Sequence, residues 1–344
     1  MRILAESKRA KEALLLVEEL QAYFADKLNY MSITLGSNLP FEKVEWMRDE
    51  GKHGGGTRYE ARDSAIFNCG SINVSQVHYD DNPQKKLASA TAISTIIHPR
   101  NPHVPSMHMH ISWTEMRDGK GYWRIMADLN PSIKNEKDKK TFDSMLENAS
   151  LSYYKEGCAQ GNKYFTIPVL NRTRGVSHFY LENFNTGDYK ADYDFAKNIG
   201  TQVINTYVEI IRNAINENHD STEKEKEAQL AYHTLYLFQV LTLDRGTTSG
   251  LLVHDQNDIG IMGSIPSYVN RDLLKSWISK MPQPQDKLVM TLLDSLPDVT
   301  PTPVNVQTKK KLANSVRNHY QRYPEALNMQ ASADIIPPTV SNHS

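Results

Sequence analysis

From Ser106 to Thr114 the chain alternates without a break: Ser106, His108, His110, Ser112 and Thr114 point one way, and Met107, Met109, Ile111 and Trp113 the other. Successive side chains of a strand leave opposite faces, so this period of two predicts a half-buried β-strand. Its apolar set demands a core to pack against. Its polar set lines up two imidazoles and three hydroxyls toward a cleft or toward water. Upstream, Pro99, Pro102 and Pro105 each fix their own φ and bias the preceding residue out of the helical region, which makes the approach to His108 stiff and extended. Downstream, a second short apolar run over residues 122–127 leads to Asp128-Leu129-Asn130-Pro131, a carboxylate where a strand is expected to give way to a loop.

Taken singly, each histidine here reads as a hydrogen-bonded surface or core residue. His98, His103, His108 and His110 lie close together in the sequence. Only His108 and His110, however, have a spacing that guarantees a shared face, and two ligands do not close a zinc site. No metal ligand is assigned.

A chain of 344 residues can bury a sizeable core, and its formal net charge of −1 points neither to nucleic acid nor to an acidic membrane surface. Cys69 and Cys158 lie far apart without CxxC spacing, which fits a reducing compartment and argues against a disulfide framework. No apolar run is long enough for a membrane span, and the first residues lack a signal peptide's apolar stretch. The expectation is a soluble, cytoplasmic protein.

Along the chain, residues 7–29 carry apolar side chains at helical spacing (Ala10, Ala13, Leu14, Val17, Leu20, Phe24, Leu28). Gly54-Gly55-Gly56 suits a tight hairpin turn more than an anion site, because no GKS/T ending or helix follows. Residues 59–78 read as two strands around Gly70, residues 141–157 as a helix, 176–181 as a strand and 189–218 as a long helix. Residues 221–227 look like an exposed helix start. Residues 235–243 read as an apolar strand ending in Asp244-Arg245-Gly246-Thr247, and 251–253 with 259–262 as a hairpin. Residues 273–278 and 287–293 are expected to be helical. After residue 297 the composition shifts: a proline-punctuated linker, a basic helix over 309–320 that reads as a solvated appendage, and a tail from 331 to 344 expected to be disordered.

The order of these features resembles the oxygen-dependent coproporphyrinogen III oxidase family over about residues 10 to 297. The residues that carry the resemblance are Trp46-x-Arg48, Gly54-Gly55-Gly56-x-Arg58, Asn73-x-Ser75, Ser94, and the HPxNPxVP pattern from His98 to Pro105 that leads to His108. Asp128-Leu129-x-Pro131, Arg174-Gly175, Asp244-Arg245-Gly246-Thr247 and Ser264-Ile265-Pro266 complete the series. The resemblance implies a single α+β domain over residues 1–297, with a large antiparallel β-sheet flanked by α-helices on both faces, and residues 298–344 as an addition to it. It further implies a homodimer, a reduced tetrapyrrole as substrate, dioxygen as co-substrate and no cofactor. By the same resemblance Asp128 would accept hydrogen bonds from pyrrole N–H groups and His108 would be the acid/base group. Ser94, His110 and Ser112 would line the cleft, and Arg174 or Arg245 would meet propionates.

The chain also departs from the family. Where the family carries an arginine two residues beyond the His110 position, Ser112 stands here. The family's glycine-rich run before the aspartate is replaced by residues 122–127, in which Arg124 offers a charge from a new place. The run before Asp244 is HTLYL (residues 233–237), and the later glycine-rich hairpin is Asp255-Gln256-Asn257. Positions of further family histidines hold Asp143 and Val169, which leaves His98 alone. The leading expectation is oxidative decarboxylation of coproporphyrinogen III. The alternatives are a paralogue acting on a less anionic substrate and a non-catalytic tetrapyrrole-binding protein.

Overall fold

A computed structural model describes every residue except 38, 63, 219 and 336–344. The first helix, α1 (Lys8–Thr34), begins where the Ser7 hydroxyl accepts the Ala10 N–H, and it buries the stripe read from the sequence. There follow β1 (Glu42–Met47), β2 (Gly54–Glu60), β3 (Phe67–His78), β4 (Leu87–Pro99), β5 (Ser106–Met116) and β6 (Gly121–Asn130). Next come α2 (Glu136–Ser150), α3 (Tyr154–Tyr164), the short pair β7 (Thr166–Ile167) and β8 (Arg172–Thr173), β9 (Ser177–Phe184) and α4 (Tyr189–Glu217). The remainder is α5 (Glu223–Thr242), α6 (Arg245–Val253), α7 (Asp258–Ile261), β10 (Tyr268–Val269), α8 (Arg271–Ser276), α9 (Gln285–Ser295), β11 (Thr302–Pro303) and α10 (Val306–Arg322).

Seven strands form one antiparallel sheet in the order β1-β2-β3-β4-β5-β6-β9. Its apolar face carries Ile72, Val74, Ile93, Met107, Met109, Ile111, Trp113, Trp123, Ile125 and Leu129, packed with α1, α2 and α4 in the main core. The alternation that opens the sequence therefore does what its period demands. A second core of α5, α8, α9 and α10 reaches the opposite face at Ile96. The fold is thus α+β, with helices on both faces of the sheet.

Several elements differ from the sequence reading. Residues 235–243 are not a strand but the second half of α5, which starts at a capping box in which Thr222 and Glu225 satisfy each other's backbone N–H. Its last turns are buried all round, so no polar stripe betrays the helical period. The hairpin expected over 251–262 is α6 and α7, because the Asp244 carboxylate accepts the Thr247 N–H at 2.7 Å and starts a helix. Gly70 lies inside β3, where an added Cβ would sit 3.0 Å from the Ala61 Cβ; it serves close packing rather than a turn. The three glycines open β2 as strand residues, and the turn lies ahead of them at residues 49–51. The helix expected over 141–157 breaks at Leu151, whose φ is 52°.

Residues beyond 297 add to the second core. β11 pairs with β10, and α10 buries Leu312, Ala313, Val316 and Tyr320 against it, so this basic helix is amphipathic rather than a solvated appendage. Of the tail expected to be disordered, residues 331–335 lie against the polar face of the sheet, and 336–344 lie outside the described residues.

Candidate active site

The polar face of the sheet is built in registered rows. Arg58, Asn73, Ser94, His110, Met126 and Tyr180 stand side by side across β2, β3, β4, β5, β6 and β9. The next row toward one end holds Gly56, Ser75, Ala92, Ser112 and Arg124; the next toward the other holds Ser71, Ile96, His108, Asp128 and His178. In the middle, Ser75, Ala90, Ala92 and Ser94 are small and only half-buried, which leaves a trough along the face. His108, His110, Tyr122 and Arg124, also half-buried, flank it.

At one end of the trough, His108 and Asp128 are direct cross-strand partners, with His108 Nδ1 2.7 Å from Asp128 Oδ1. The other carboxylate oxygen accepts from Arg174 Nη2 at 2.8 Å and from Asn130 Nδ2 at 2.6 Å. Arg174 in turn donates to Gln239 Oε1 at 2.7 Å and lies between the rings of Phe165 and Tyr236. Asp128 is 0% exposed and Arg174 2%. Burial alone would raise the Asp128 pKa, but the charges of Arg174 and His108 and the hydrogen bonds of His108 and Asn130 outweigh it and hold the carboxyl below its usual range. An ionised carboxylate only accepts, so Nδ1 of His108 donates in this pair and Nε2 is the ring nitrogen turned away from the carboxylate. Among the described residues Nε2 has no hydrogen-bond partner, and the side chain is 16% exposed.

Most of the residues singled out from the sequence meet on this face, but not in the same relation to the trough. Ser94 faces His110 across β4 and β5, and His110 Nε2 is 3.0 Å from Ser112 Oγ. Burial, then the nearby charges of His108 and Arg124, push His110 down to about 3, so it stays neutral. Arg174 lies behind Asp128 and out of the trough. Arg245, at the start of α6, gives its Nε to the Ala331 carbonyl. Residues 331–335 are held there by the Ala331 N–H to Leu243 O, by the Ile335 N–H to Glu182 Oε2, and by Ala333 packed with Met126, Phe165 and Tyr180.

His98 is a core residue: Nδ1 meets Ser106 Oγ at 2.8 Å and Nε2 the Ser264 carbonyl at 3.2 Å, with the rings of His233 and Tyr236 beside it. Among the described residues, no group of three His, Cys, Asp or Glu side chains could hold a metal. Sequence reasoning missed Gln239, Tyr236, Asn130 and Phe165. The first two lie on the helix misread as a strand. Asn130 had a signal, since two residues after Asp128 on one strand places both on the same face.

A family model described as coproporphyrinogen III oxidase matches residues 13–293 of this chain. Proteins named oxygen-dependent coproporphyrinogen-III oxidase are among its relatives. The one from Drosophila melanogaster is 28% identical over 276 residues, which covers 73% of this chain and 69% of that protein. Those from Rickettsia akari and Rickettsia bellii are 27% and 28% identical over 243 residues, covering 67% of this chain and 84% of each relative.

Proposed function

Because this chain belongs to the coproporphyrinogen III oxidase family, we propose that it catalyses the oxygen-dependent oxidative decarboxylation of coproporphyrinogen III in heme biosynthesis. Each of two propionates becomes a vinyl group: the side chain loses carbon dioxide and a hydride equivalent, and dioxygen takes that hydride with one proton to give hydrogen peroxide. The observation that carries the reading is the His108–Asp128 pair, locked from behind by Arg174, at the end of a trough lined by small side chains.

In this reading His108 Nε2 is the group that touches the substrate. It accepts a proton from a pyrrole N–H, making the ring electron-rich enough to meet dioxygen. Asp128 acts through His108: it fixes the tautomer and stabilises the imidazolium that forms, as the negative charge that Arg174 keeps ionised. Ser94, His110 and Ser112 line the trough, with neutral His110 able to donate or accept a hydrogen bond. Arg174 is then a positioning residue rather than a propionate clamp, and Arg245 reaches a propionate only if it leaves the Ala331 carbonyl. The finer readings, a cytoplasmic homodimer using dioxygen without metal or organic cofactor, with residues 1–297 as the catalytic body, rest on the family resemblance.

The test is aerobic incubation of the purified chain with coproporphyrinogen III, following protoporphyrin fluorescence after oxidation and oxygen uptake. Oxygen-dependent product, absent under argon, is expected. Binding without turnover overturns the catalytic reading in favour of a carrier. A second reading, a paralogue that takes a less anionic substrate, is favoured by the engagement of Arg174 and Arg245 with protein acceptors; turnover of a dicarboxylate analogue but not of coproporphyrinogen III would select it.

A further inference from the structure

The guanidiniums on the polar side of the sheet are mostly spoken for. Arg58 pairs with Glu60 at 2.5 Å, Arg174 with Asp128, and Arg48 with Asp49 at 3.6 Å, while Arg245 turns to a main-chain carbonyl. Arg124 differs in its partner. Its one hydrogen bond among the described residues goes to the neutral Tyr122 hydroxyl at 3.2 Å, and no described carboxylate lies within ion-pairing distance; as at Arg58, Arg174 and Arg245, one guanidinium nitrogen is buried without a partner among the described residues. A half-buried guanidinium whose described partner is a neutral hydroxyl keeps its charge available to an acceptor from outside the chain.

The register says where that acceptor comes from. Arg124 stands directly opposite Ser112, one row beyond His110 and four residues along β6 from Asp128 on the same face. At the rise of a strand this is about 13 Å from the His108–Asp128 end, with the row of Ser94, His110 and Met126 between. Resting on the function proposed above, we infer that Arg124 binds a substrate carboxylate, on a ring remote from the one that reacts at His108, and so sets which carboxylated macrocycles the trough accepts. The planar fork of arginine suits a carboxylate, and its distance from the reacting end makes the contact one of binding rather than of chemistry.

The experiment compares the full-length protein with Arg124→Gln and Arg124→Lys in two assays. In the first, coproporphyrinogen III turnover in air, Arg124→Gln is expected to raise KM by about tenfold or more with kcat changed less than about threefold, and Arg124→Lys to recover part of the loss. In the second, which needs no turnover, the Kd for coproporphyrin III and for its tetramethyl ester is read from tryptophan quenching. The substitution to glutamine is expected to weaken the tetra-acid and leave the ester unchanged. An unchanged Kd for the tetra-acid overturns the inference, as does an equal loss for acid and ester, or a wild-type protein that does not distinguish the two. Should the wild type fail to turn over coproporphyrinogen III and still show the charge-dependent difference, the subsite stands and the assigned reaction falls.

Discussion

His108 and Asp128 stand directly opposite each other on β5 and β6, one carboxylate oxygen bound to the imidazole and the other to a guanidinium from outside the sheet. In the reaction proposed above, catalysis and stability therefore run through the same carboxylate. They can be separated, because His108 reaches the trough and Arg174 does not.

Replacing His108 by glutamine removes the base but keeps an N–H for Asp128. Turnover is expected to fall by about a hundredfold to ten-thousandfold while the thermal midpoint shifts little, since the side chain is partly exposed. Steady-state rates and calorimetry in one buffer check this. A rate within a factor of about three of wild type would remove His108 from the proposed chemistry.

Asp128→Ala is a different experiment. It strips the partner from a fully buried Arg174, and a loss of about 3–5 kcal/mol is expected on top of lost turnover. Adding Arg174→Leu should return part of that stability, because the uncompensated charge goes with it. Urea titration of the single and double variants measures the coupling; a double variant as unstable as the sum of the two singles would contradict the pairing described.

Burial keeps His98, His110 and His233 unprotonated in the fold, His110 and His233 down to about 3. In the unfolded chain they protonate near 6.5, so below that pH the unfolded state binds protons the native state refuses. Stability should fall as the pH drops from about 7 toward 4, by about 1.4 kcal/mol per pH unit for each such histidine. His233, whose Nε2 is buried without a partner, can be replaced by phenylalanine to flatten the slope. Thermal midpoints across that range read the effect; an unchanged slope in His233→Phe argues against the assignment.

Gly161 lies on α3 against β9, where an added Cβ would come within 2.9 Å of the His178 and Phe179 backbone. Helix propensity favours alanine by about 1 kcal/mol, but forcing helix from sheet costs about 1–3 kcal/mol. Because the obstacle is backbone, the cost should win, and Gly161→Ala should lower the thermal midpoint. A higher midpoint would mean that α3 can shift without penalty.

Much of this site was legible in the sequence because its signals are local. The alternation over 106–114 is enough to put His108 and His110 on one face with Met107 and Met109 on the other, and the HPxNPxVP pattern that precedes it carries the family. Where the signal was a period with both a buried and an exposed phase, as in α1 and α4, the element was found. It failed at α5, where burial on all sides erased the phase, and at α6, where the capping carboxylate of Asp244 marked a helix that the apolar spacing disguised as a hairpin.

The sequence alone determined which side of its strand each residue takes, since that depends only on the two-residue repeat of the backbone. It could not determine what each charge would be spent on. Arg174, 46 positions from Asp128, is drawn behind the carboxylate, and Arg245 is turned to the main chain at residue 331. Arg124 is left on the trough face with the neutral Tyr122 hydroxyl as its described hydrogen-bond partner. These pairings depend on strand register and on helices packed over the sheet, and only the folded chain brings such distant groups within the few ångströms over which a hydrogen bond acts.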